Sequence, residues 1–354
     1  MDKEIILKIL FIVSTTFTFV ALIIPFIIKL AYQIKAIDVP RERHIHTKNM
    51  PKLGGLGIYS GFLLGYMLFG EQSTQMISIL IGSFIILITG IIDDITELKA
   101  STQFLFQLIA SCIVVFYGQI LLTDLSAFGF YINFEILSYP ITIIFILGCI
   151  NCLNLIDGLD GLSGGISSIY FLTLGIIATM QGRTGLDFIL CFVMLGSTLG
   201  FLLHNFHPAR IFAGNSGSDF LGFIIACVAL LGFKNVTLTS LIIPLLVLAI
   251  PILDTLFAII RRLLKGESIT KADKFHIHHQ LLKRHFSQTA TVLIIYFIDM
   301  LFAAASIIYV TNYRYLGYII YGVLLIIVIF FACKTDIIID NEQKEKIFHK
   351  IKHK

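Results

Sequence analysis

Residues 5–31 read IILKILFIVSTTFTFVALIIPFIIKLA, a mostly apolar run near the start of the chain. A helix crosses the hydrocarbon core of a bilayer, about 30 Å thick, with about 20 apolar residues. The run is therefore long enough to span a membrane. It is too long for the apolar part of a signal peptide and lacks a small-residue cleavage site. We expect it to remain in the protein as a membrane helix.

Similar runs recur along the chain between short polar breaks. Hydrophobic residues make up 57% of the sequence and charged residues 14%, and the mean hydropathy is +0.92, all far from the values of a soluble domain. We predict an all-α polytopic integral membrane protein of about eleven helices, forming one domain over residues 1–354. The predicted helices lie near residues 5–31, 53–70, 76–92, 102–122, 139–156, 164–181, 186–203, 217–232, 237–260, 290–310 and 316–333.

The distribution of Lys and Arg predicts the orientation in the membrane, because cytoplasmic loops carry an excess of both. The breaks after odd-numbered helices hold most of these residues, whereas the breaks on the other side are short turns. We therefore place the N-terminus outside and the chemistry inside the cell. The predicted cytoplasmic segments are the loops near 32–52, 93–101, 157–163, 204–216 and 261–289, and the tail 334–354.

Two other classes of protein are not indicated. The six cysteines lie in or at the ends of apolar runs, unlike the cysteines of a secreted disulfide framework. The net charge of +4 averages a basic inner side with a nearly neutral outer side. No nucleic-acid-binding motif accompanies that charge, so we expect no nucleic-acid partner.

Acidic side chains recur where predicted helices end on the cytoplasmic side. Asp93 and Asp94 end the third helix, Asp157 and Asp160 follow the fifth, and the ninth contains Asp254. An ionisable group at membrane depth costs several kcal/mol, so a metal, a substrate or another partner is expected beside it. Carboxylate oxygens suit Mg²⁺, which leaves positions for water and substrate phosphates. The alternative is that these residues only cap helices.

Two loops add further polar groups. Residues 204–218 carry glycines with Asn215 and Ser216 before a predicted helix, where backbone N–H groups can face a phosphate. A capped turn explains that pattern equally well. His276, His278 and His279 form a cluster without the Cys or spaced carboxylate of a zinc site, which favours contact with an anion or a sugar. The alternative for the histidines is a solvated basic surface.

Taken together, these segments resemble the polyprenyl-phosphate N-acetylhexosamine-1-phosphate transferases, which start many bacterial cell-wall polymers, such as teichoic acids, and O-antigens. The resemblance covers most of the chain. Its most specific part is the string Asn-x-x-Asn-x-x-Asp-Gly-x-Asp-Gly-Leu at residues 151–162. The other matching segments are residues 43–46 (RHIH), 51–55 (PKLGG), 93–94 (DD), 212–222 (FAGNSGSDFLG), 251–255 (PILDT) and 276–279 (HIHH).

The resemblance implies an enzyme of the bacterial plasma membrane with its active site on the cytoplasmic face. The helix number and the histidine loop favour the branch that uses UDP-N-acetylglucosamine or another UDP-N-acetylhexosamine. The acceptor would be undecaprenyl phosphate, with membrane lipids around it, and the cofactor Mg²⁺, with Mn²⁺ as an alternative. A transporter or a non-catalytic homologue is the competing interpretation, and whether the protein forms a homodimer is left open.

The resemblance also implies roles for individual residues. Asp93, supported by Asp94, would orient or deprotonate the lipid phosphate, and Asp157 completes the catalytic set. The metal would be held by Asp94, Asp157 and Asn215. The substrates would be bound by Asn154, Asp160 at uracil, Phe212 stacked on that ring, the sugar-phosphate contacts His276, His278 and His279, and by Arg43, His46 and Lys52.

Asn215 departs from the family pattern. The family carries Gly-Asp-x-Gly-Ser where this chain has Gly-Asn-Ser-Gly-Ser at residues 214–218. That aspartate is the expected metal ligand, and an amide oxygen without its negative charge should bind Mg²⁺ more weakly. Asp219 follows four residues later and is a candidate to compensate, although a helical position there is not expected to give the same geometry.

Overall fold

A computed structural model describes residues 3–39, 49–127, 130–233, 242–268, 275–311, 313–335 and 337. The chain divides into two compact units, residues 1–245 and 246–354. Within the described residues the units are built almost entirely of helices. The predicted all-α class is confirmed, and the prediction of one domain over the whole chain stays a prediction.

The described part of the first unit contains eight long or medium α-helices and two short antiparallel strand pairs. The helices are α1 (Lys3–Gln33), α2 (Gly54–Phe69), α3 (Thr74–Thr96), α4 (Ala100–Cys112), α5 (Ser138–Ile156), α6 (Leu162–Met180), α7 (Leu186–Asn205) and α8 (Gly214–Phe233). The strands are β1 (Ile37–Asp38) with β2 (Met50–Pro51), and β3 (Asp124–Ala127) with β4 (Phe130–Asn133). A short helix, α9 (Ile242–Val247), contains the boundary between the units.

The second unit contains α10 (Ala249–Lys265), α11 (Ile277–Lys283), α12 (Gln288–Val310) and α13 (Arg314–Lys334). Helices α12 and α13 pack against each other, and α12 also contacts α10 and α11. This packing holds the short histidine-bearing helix α11 against a membrane-length helix.

Nine helices among the described residues are long and apolar enough to cross a membrane. The predicted number of about eleven is not confirmed. Helix α2 has only 16 residues, and the predicted helix 237–260 is divided between α9 and α10. Pro251 supplies a reason for that division, because proline has no N–H with which to continue the backbone ladder from α9.

Helix α8 is the central helix of the first unit. Of its membrane-length span 83% is buried, against 28% for α1. Two glycines allow its first turn to approach its neighbours closely. A Cβ on Gly90 of α3 would lie 2.3 Å from Ser216 Cα, and one on Gly55 of α2 would lie 2.3 Å from the Gly217 nitrogen. The start of α8 is therefore held between α2 and α3.

Candidate active site

Asp94 joins the end of α3 to the start of α8. One carboxylate oxygen accepts the backbone N–H of Asn215 at 2.9 Å. The other accepts the Ser216 hydroxyl at 2.8 Å and the Ser216 N–H at 3.2 Å. Gly214 precedes them with a φ of +72°, and a side chain there would meet the Asp94 carboxylate. The buried Asp94 thus caps α8 from another helix, where its negative charge also opposes the helix dipole.

The hydrogen bonds of Asp94 distinguish between the two interpretations of residues 204–218, a phosphate-binding loop and a capped turn. The first backbone N–H groups of α8, at Asn215 and Ser216, are bound by Asp94. They are therefore not directed at a phosphate. For these two N–H groups the capped-turn interpretation is the one that fits, and the capping side chain is Asp94 of α3.

Asp93 is equally buried and faces the side chain of Asn215. Its Oδ1 accepts the Leu98 N–H and the Gln103 amide, each at 2.6 Å. Its Oδ2 accepts the Asn215 Nδ2. Three donors therefore fix the orientation of this carboxylate.

Asn154 connects α5 to α8. Its Nδ2 lies 3.1 Å from Asn215 Oδ1, 2.9 Å from Asp219 Oδ1 and 3.3 Å from the Ser218 hydroxyl. Asp219 Oδ2 in turn accepts the Gln107 amide of α4 at 3.0 Å. The carboxylates and amides of α3, α4, α5 and α8 therefore form one hydrogen-bonded polar cluster, in which the carboxylates are buried.

The turn between α5 and α6 carries Asp157 and Asp160, each with its own partner. The Ser163 hydroxyl donates to Asp157 at 2.5 Å. Burial raises the pKa of Asp157 to about 6, since the Ser163 hydrogen bond lowers it less and Asp160 raises it further. Asp160 accepts His207 Nδ1 at 2.7 Å and the Ala209 N–H at 3.2 Å, which ties it to the turn after α7.

Lys52 and Phe212 lie on two segments that pair through their backbones. The Phe212 N–H donates to the Pro51 carbonyl at 2.8 Å, and the Gly54 N–H donates to the Phe212 carbonyl at 3.0 Å. The Lys52 ammonium pairs with Asp38 at 3.2 Å. These contacts bring the segments 50–54 and 211–214 to the start of α8. Arg43 and His46 lie outside the described residues.

The histidine cluster of the second unit is organised by Asp254 of α10. Its Oδ2 lies 2.8 Å from His276 Nδ1, and its Oδ1 accepts the Ile277 N–H at 2.8 Å, at the start of α11. His276 and His278 are only 4% and 2% exposed, and their rings are parallel with centroids 5.7 Å apart. The solvated-surface interpretation is therefore wrong for these two histidines.

In His278 the whole polar part of the ring lacks hydrogen bonds to the described residues. Both of its ring nitrogens are buried, and neither has a hydrogen-bond partner among the described residues. Burial lowers the pKa of His278 well below its usual value, and the imidazoles of His279 and His276 lower it further. A neutral ring with two unused nitrogens is suited to exchange hydrogen bonds with a ligand rather than to neutralise its charge.

The polar side chains at the candidate site can be compared with the ligands that Mg²⁺ prefers. Among the described residues no group of three or more His, Cys, Asp or Glu side chains has the geometry of a metal centre. Magnesium requires no such group, because it is usually held by one or two carboxylates together with water and substrate phosphates. Buried carboxylate and amide oxygens at the start of α8 are ligands of the right kind.

Gln103 and Gln107 belong to the site although they were not predicted from the sequence. Each is an amide in or beside an apolar run, and each donates to a carboxylate, of Asp93 and Asp219 respectively. Their only sequence signal is that a polar side chain in a membrane helix faces the protein interior more often than lipid.

Comparison with known proteins places these features in a family. Residues 76–233, which include α3 to α8, match the family model described as glycosyl transferase family 4. The chain is 39% identical to a probable undecaprenyl-phosphate N-acetylglucosaminyl 1-phosphate transferase of Bacillus subtilis, over 94% of this chain and 93% of that protein. It is 31% identical to a decaprenyl-phosphate N-acetylglucosaminephosphotransferase of Mycobacterium leprae, over 84% and 83% of the two chains.

A third relative is more distant. An undecaprenyl-phosphate alpha-N-acetylglucosaminyl 1-phosphate transferase of Escherichia coli is 26% identical over 78% of each chain. The near full-length match to the Bacillus protein and the matched family model agree with the resemblance seen in the motifs. The chain belongs to glycosyl transferase family 4.

Proposed function

We propose that this protein is a phosphoglycosyl transferase that moves N-acetylglucosamine 1-phosphate from UDP-N-acetylglucosamine to undecaprenyl phosphate. The products are UMP and a lipid-linked pyrophosphoryl sugar, the first unit of a bacterial cell-envelope polymer. The observation that carries the proposal is the hydrogen-bonded cluster of the buried Asp93 and Asp94 with the half-buried Asn215, where a membrane-length helix ends beside the start of α8. The names of the relatives support the lipid and the sugar.

In the proposed transfer, an oxygen of the lipid phosphate attacks the β-phosphorus of the UDP-sugar. The new P–O bond forms as the bond from that phosphorus to UMP breaks, so UMP leaves. Catalysis of such a step depends mainly on positioning and on stabilising charge. Asp93 would orient the lipid phosphate or take its proton, because its carboxylate is already fixed by Leu98, Gln103 and Asn215.

Asp94 has a positioning role in the same step. It holds the first turn of α8 against α3, which keeps Asn215 at Asp93. The nucleotide would lie near Asn154 and Asp160, with Phe212 against the uracil ring and Lys52 beside the phosphates. Arg43 and His46 remain proposed contacts from the sequence alone.

When bound, Mg²⁺, or Mn²⁺ in its place, would neutralise the negative charge of the pyrophosphate. Asp94 and Asp157 are the carboxylates proposed to hold it, and oxygen ligands of this kind match the preference of the ion.

The histidine cluster is assigned to the sugar-phosphate portion of the donor. His276 is held by Asp254 through Nδ1, which leaves Nε2 for other contacts. His278 offers two buried nitrogens that have no partners among the described residues. These imidazoles would therefore recognise the donor by hydrogen bonding.

One observation favours a second candidate function. Asn215 stands where the resemblance expects a metal-binding aspartate, which fits a homologue that binds the substrates without transferring the sugar. Purified protein in lipid nanodiscs, incubated with undecaprenyl phosphate and a panel of UDP-sugars with and without Mg²⁺, separates the two. We expect UMP only when UDP-N-acetylglucosamine, lipid phosphate and the ion are all present. Substrate binding without UMP release would favour the non-catalytic homologue.

A further inference from the structure

The Asn215 side chain is engaged in contacts that require an amide. Its Nδ2 donates to Asp93 Oδ2, and its Oδ1 lies 3.1 Å from the Asn154 Nδ2. A carboxylate in this position would set an oxygen against the Asp93 carboxylate, where the amide now donates a hydrogen bond. At this position the chain therefore places a neutral amide next to the Asp93 carboxylate.

Asp219 lies one helical turn beyond Asn215 on α8, so both side chains lie on one face of the helix. The same Asn154 nitrogen that contacts Asn215 lies 2.9 Å from Asp219 Oδ1. Through Asn154 and Asn215, a series of hydrogen bonds also links Asp219 to Asp93. Asp219 is therefore a member of the same polar cluster as Asp93 and Asn215.

Neutral amides orient the Asp219 carboxylate. Gln107 donates to Oδ2 at 3.0 Å, and its own Oε1 accepts the Asn151 amide at 3.2 Å. Asp219 is 6% exposed, and among the residues that the structure describes no Lys, Arg or His side chain pairs with it. A buried carboxylate without a cationic partner is costly in a membrane helix, and a divalent cation would remove that cost.

We propose that Asp219, rather than Asn215, supplies the carboxylate of α8 that binds the divalent cation. The negative charge has moved one turn along the helix, from a position that faces Asp93 to one oriented by Gln107 and Asn154. This proposal rests on the proposed function for the identity of the site, although it concerns cation binding and not turnover.

The test is Mn²⁺ binding by purified protein in nanodiscs, followed by electron paramagnetic resonance with and without UDP-N-acetylglucosamine. Removing the charge with Asp219→Asn should weaken Mn²⁺ binding by about tenfold or more, in the range known for changes around a bound metal. The Asn215→Asp variant places a carboxylate opposite Asp93 and leaves Asp219 in place, so it should bind Mn²⁺ no more tightly than the natural protein. Asp124→Asn, on strand β3, is the matched control for loss of one negative charge.

The outcomes separate this proposal from the proposed function. Folded Asp219→Asn protein that binds Mn²⁺ as tightly as the natural protein would overturn the role of Asp219, even if the natural protein releases UMP. A natural protein that binds Mn²⁺ through Asp219 but never releases UMP would overturn the transfer reaction and leave the cation site intact. If Asp219→Asn does not fold, the Asn215→Asp variant decides the question. Unchanged or weaker Mn²⁺ binding by it supports Asp219 as the ligand, and binding tightened by about tenfold or more would contradict the proposal.

Discussion

Replacing Gly90 with alanine tests whether close contact between α3 and α8 is required for the proposed reaction. The added Cβ would lie 2.3 Å from Ser216 Cα and 2.5 Å from the Ser216 nitrogen. Carbon atoms in contact are normally about 3.5–4.0 Å apart, so α3 and α8 must separate by about 1.5 Å at this point. That movement is enough to break the hydrogen bonds from Asn215 and Ser216 to Asp94, which are 2.8–3.2 Å long.

Two effects of different size follow from this displacement. Overpacking of this kind typically lowers the free energy of unfolding by about 1–3 kcal/mol. A misplacement of about 1 Å in a catalytic site can lower the rate about a hundredfold. We therefore expect Gly90→Ala to lose at least about a hundredfold in UMP release while the protein remains folded.

Two other glycines provide controls. A Cβ on Gly148 of α5 would have no described atom within 4 Å, so Gly148→Ala should leave both rate and stability close to those of the natural protein. A Cβ on Gly82 of α3 would lie 2.6 Å from the ring of Phe223, far from the start of α8, so Gly82→Ala should lower stability more than rate. Thermal denaturation and UMP release are measured on all three variants. Near-normal turnover by Gly90→Ala would refute the argument that the α3–α8 contact fixes the site.

Four other outcomes are expected. Asp93→Asn should lower UMP release by about a hundredfold or more without unfolding the protein, and near-normal turnover would show that Asp93 has no part in the chemistry. The pKa of Asp157 is raised to about 6 from the usual 3.8, so between these values the folded state holds more protons than the unfolded state. The free energy of unfolding should therefore fall as the pH rises through this window, and Asp157→Asn should remove that dependence in denaturation curves measured without metal. His278→Ala should raise the KM for the UDP-sugar with little change for the lipid, whereas the exposed His285→Asn should change neither, and equal kinetics for both variants would contradict the assignment. The Glu135→Cys variant should be labelled from outside intact cells and the His285→Cys variant only after permeabilisation, and the reverse pattern would invert the topology.

Long apolar runs allow most of the fold to be predicted from the sequence. Most predicted spans correspond to observed helices within a few residues, because a long apolar run has few alternatives to a membrane helix. The prediction is weakest at 237–260, where hydropathy alone joins α9 to α10. Hydropathy does not respond to the missing N–H of Pro251, so it cannot predict the break, although the proline is present in the sequence.

The sequence predicts several polar members of the candidate site but not the contacts among them. Asp93, Asp94 and Asn154 can be grouped because each comes at the end of an apolar run on the same predicted side of the membrane. The pairing of Asp93 with Gln103, and of Asp219 with Gln107, depends on how α4 and α8 each pack against α3. The packing of α8 on α3 includes the close contact of Gly90 with Ser216, which hydropathy cannot reveal.

The histidine cluster shows how burial changes the chemistry expected from a sequence. A basic segment with three histidines resembles a solvated, cationic surface, and cationic imidazoles would attract a pyrophosphate by charge. The structure instead buries His276 and His278 behind Asp254, which lies 22 residues before His276 on α10. Because burial disfavours the charged form of His278, this ring would act through hydrogen bonds with directional geometry. Such bonds respond to the arrangement of sugar hydroxyl and phosphate oxygens, so the burial of the cluster favours a role in discriminating among UDP-sugars over one in attracting them.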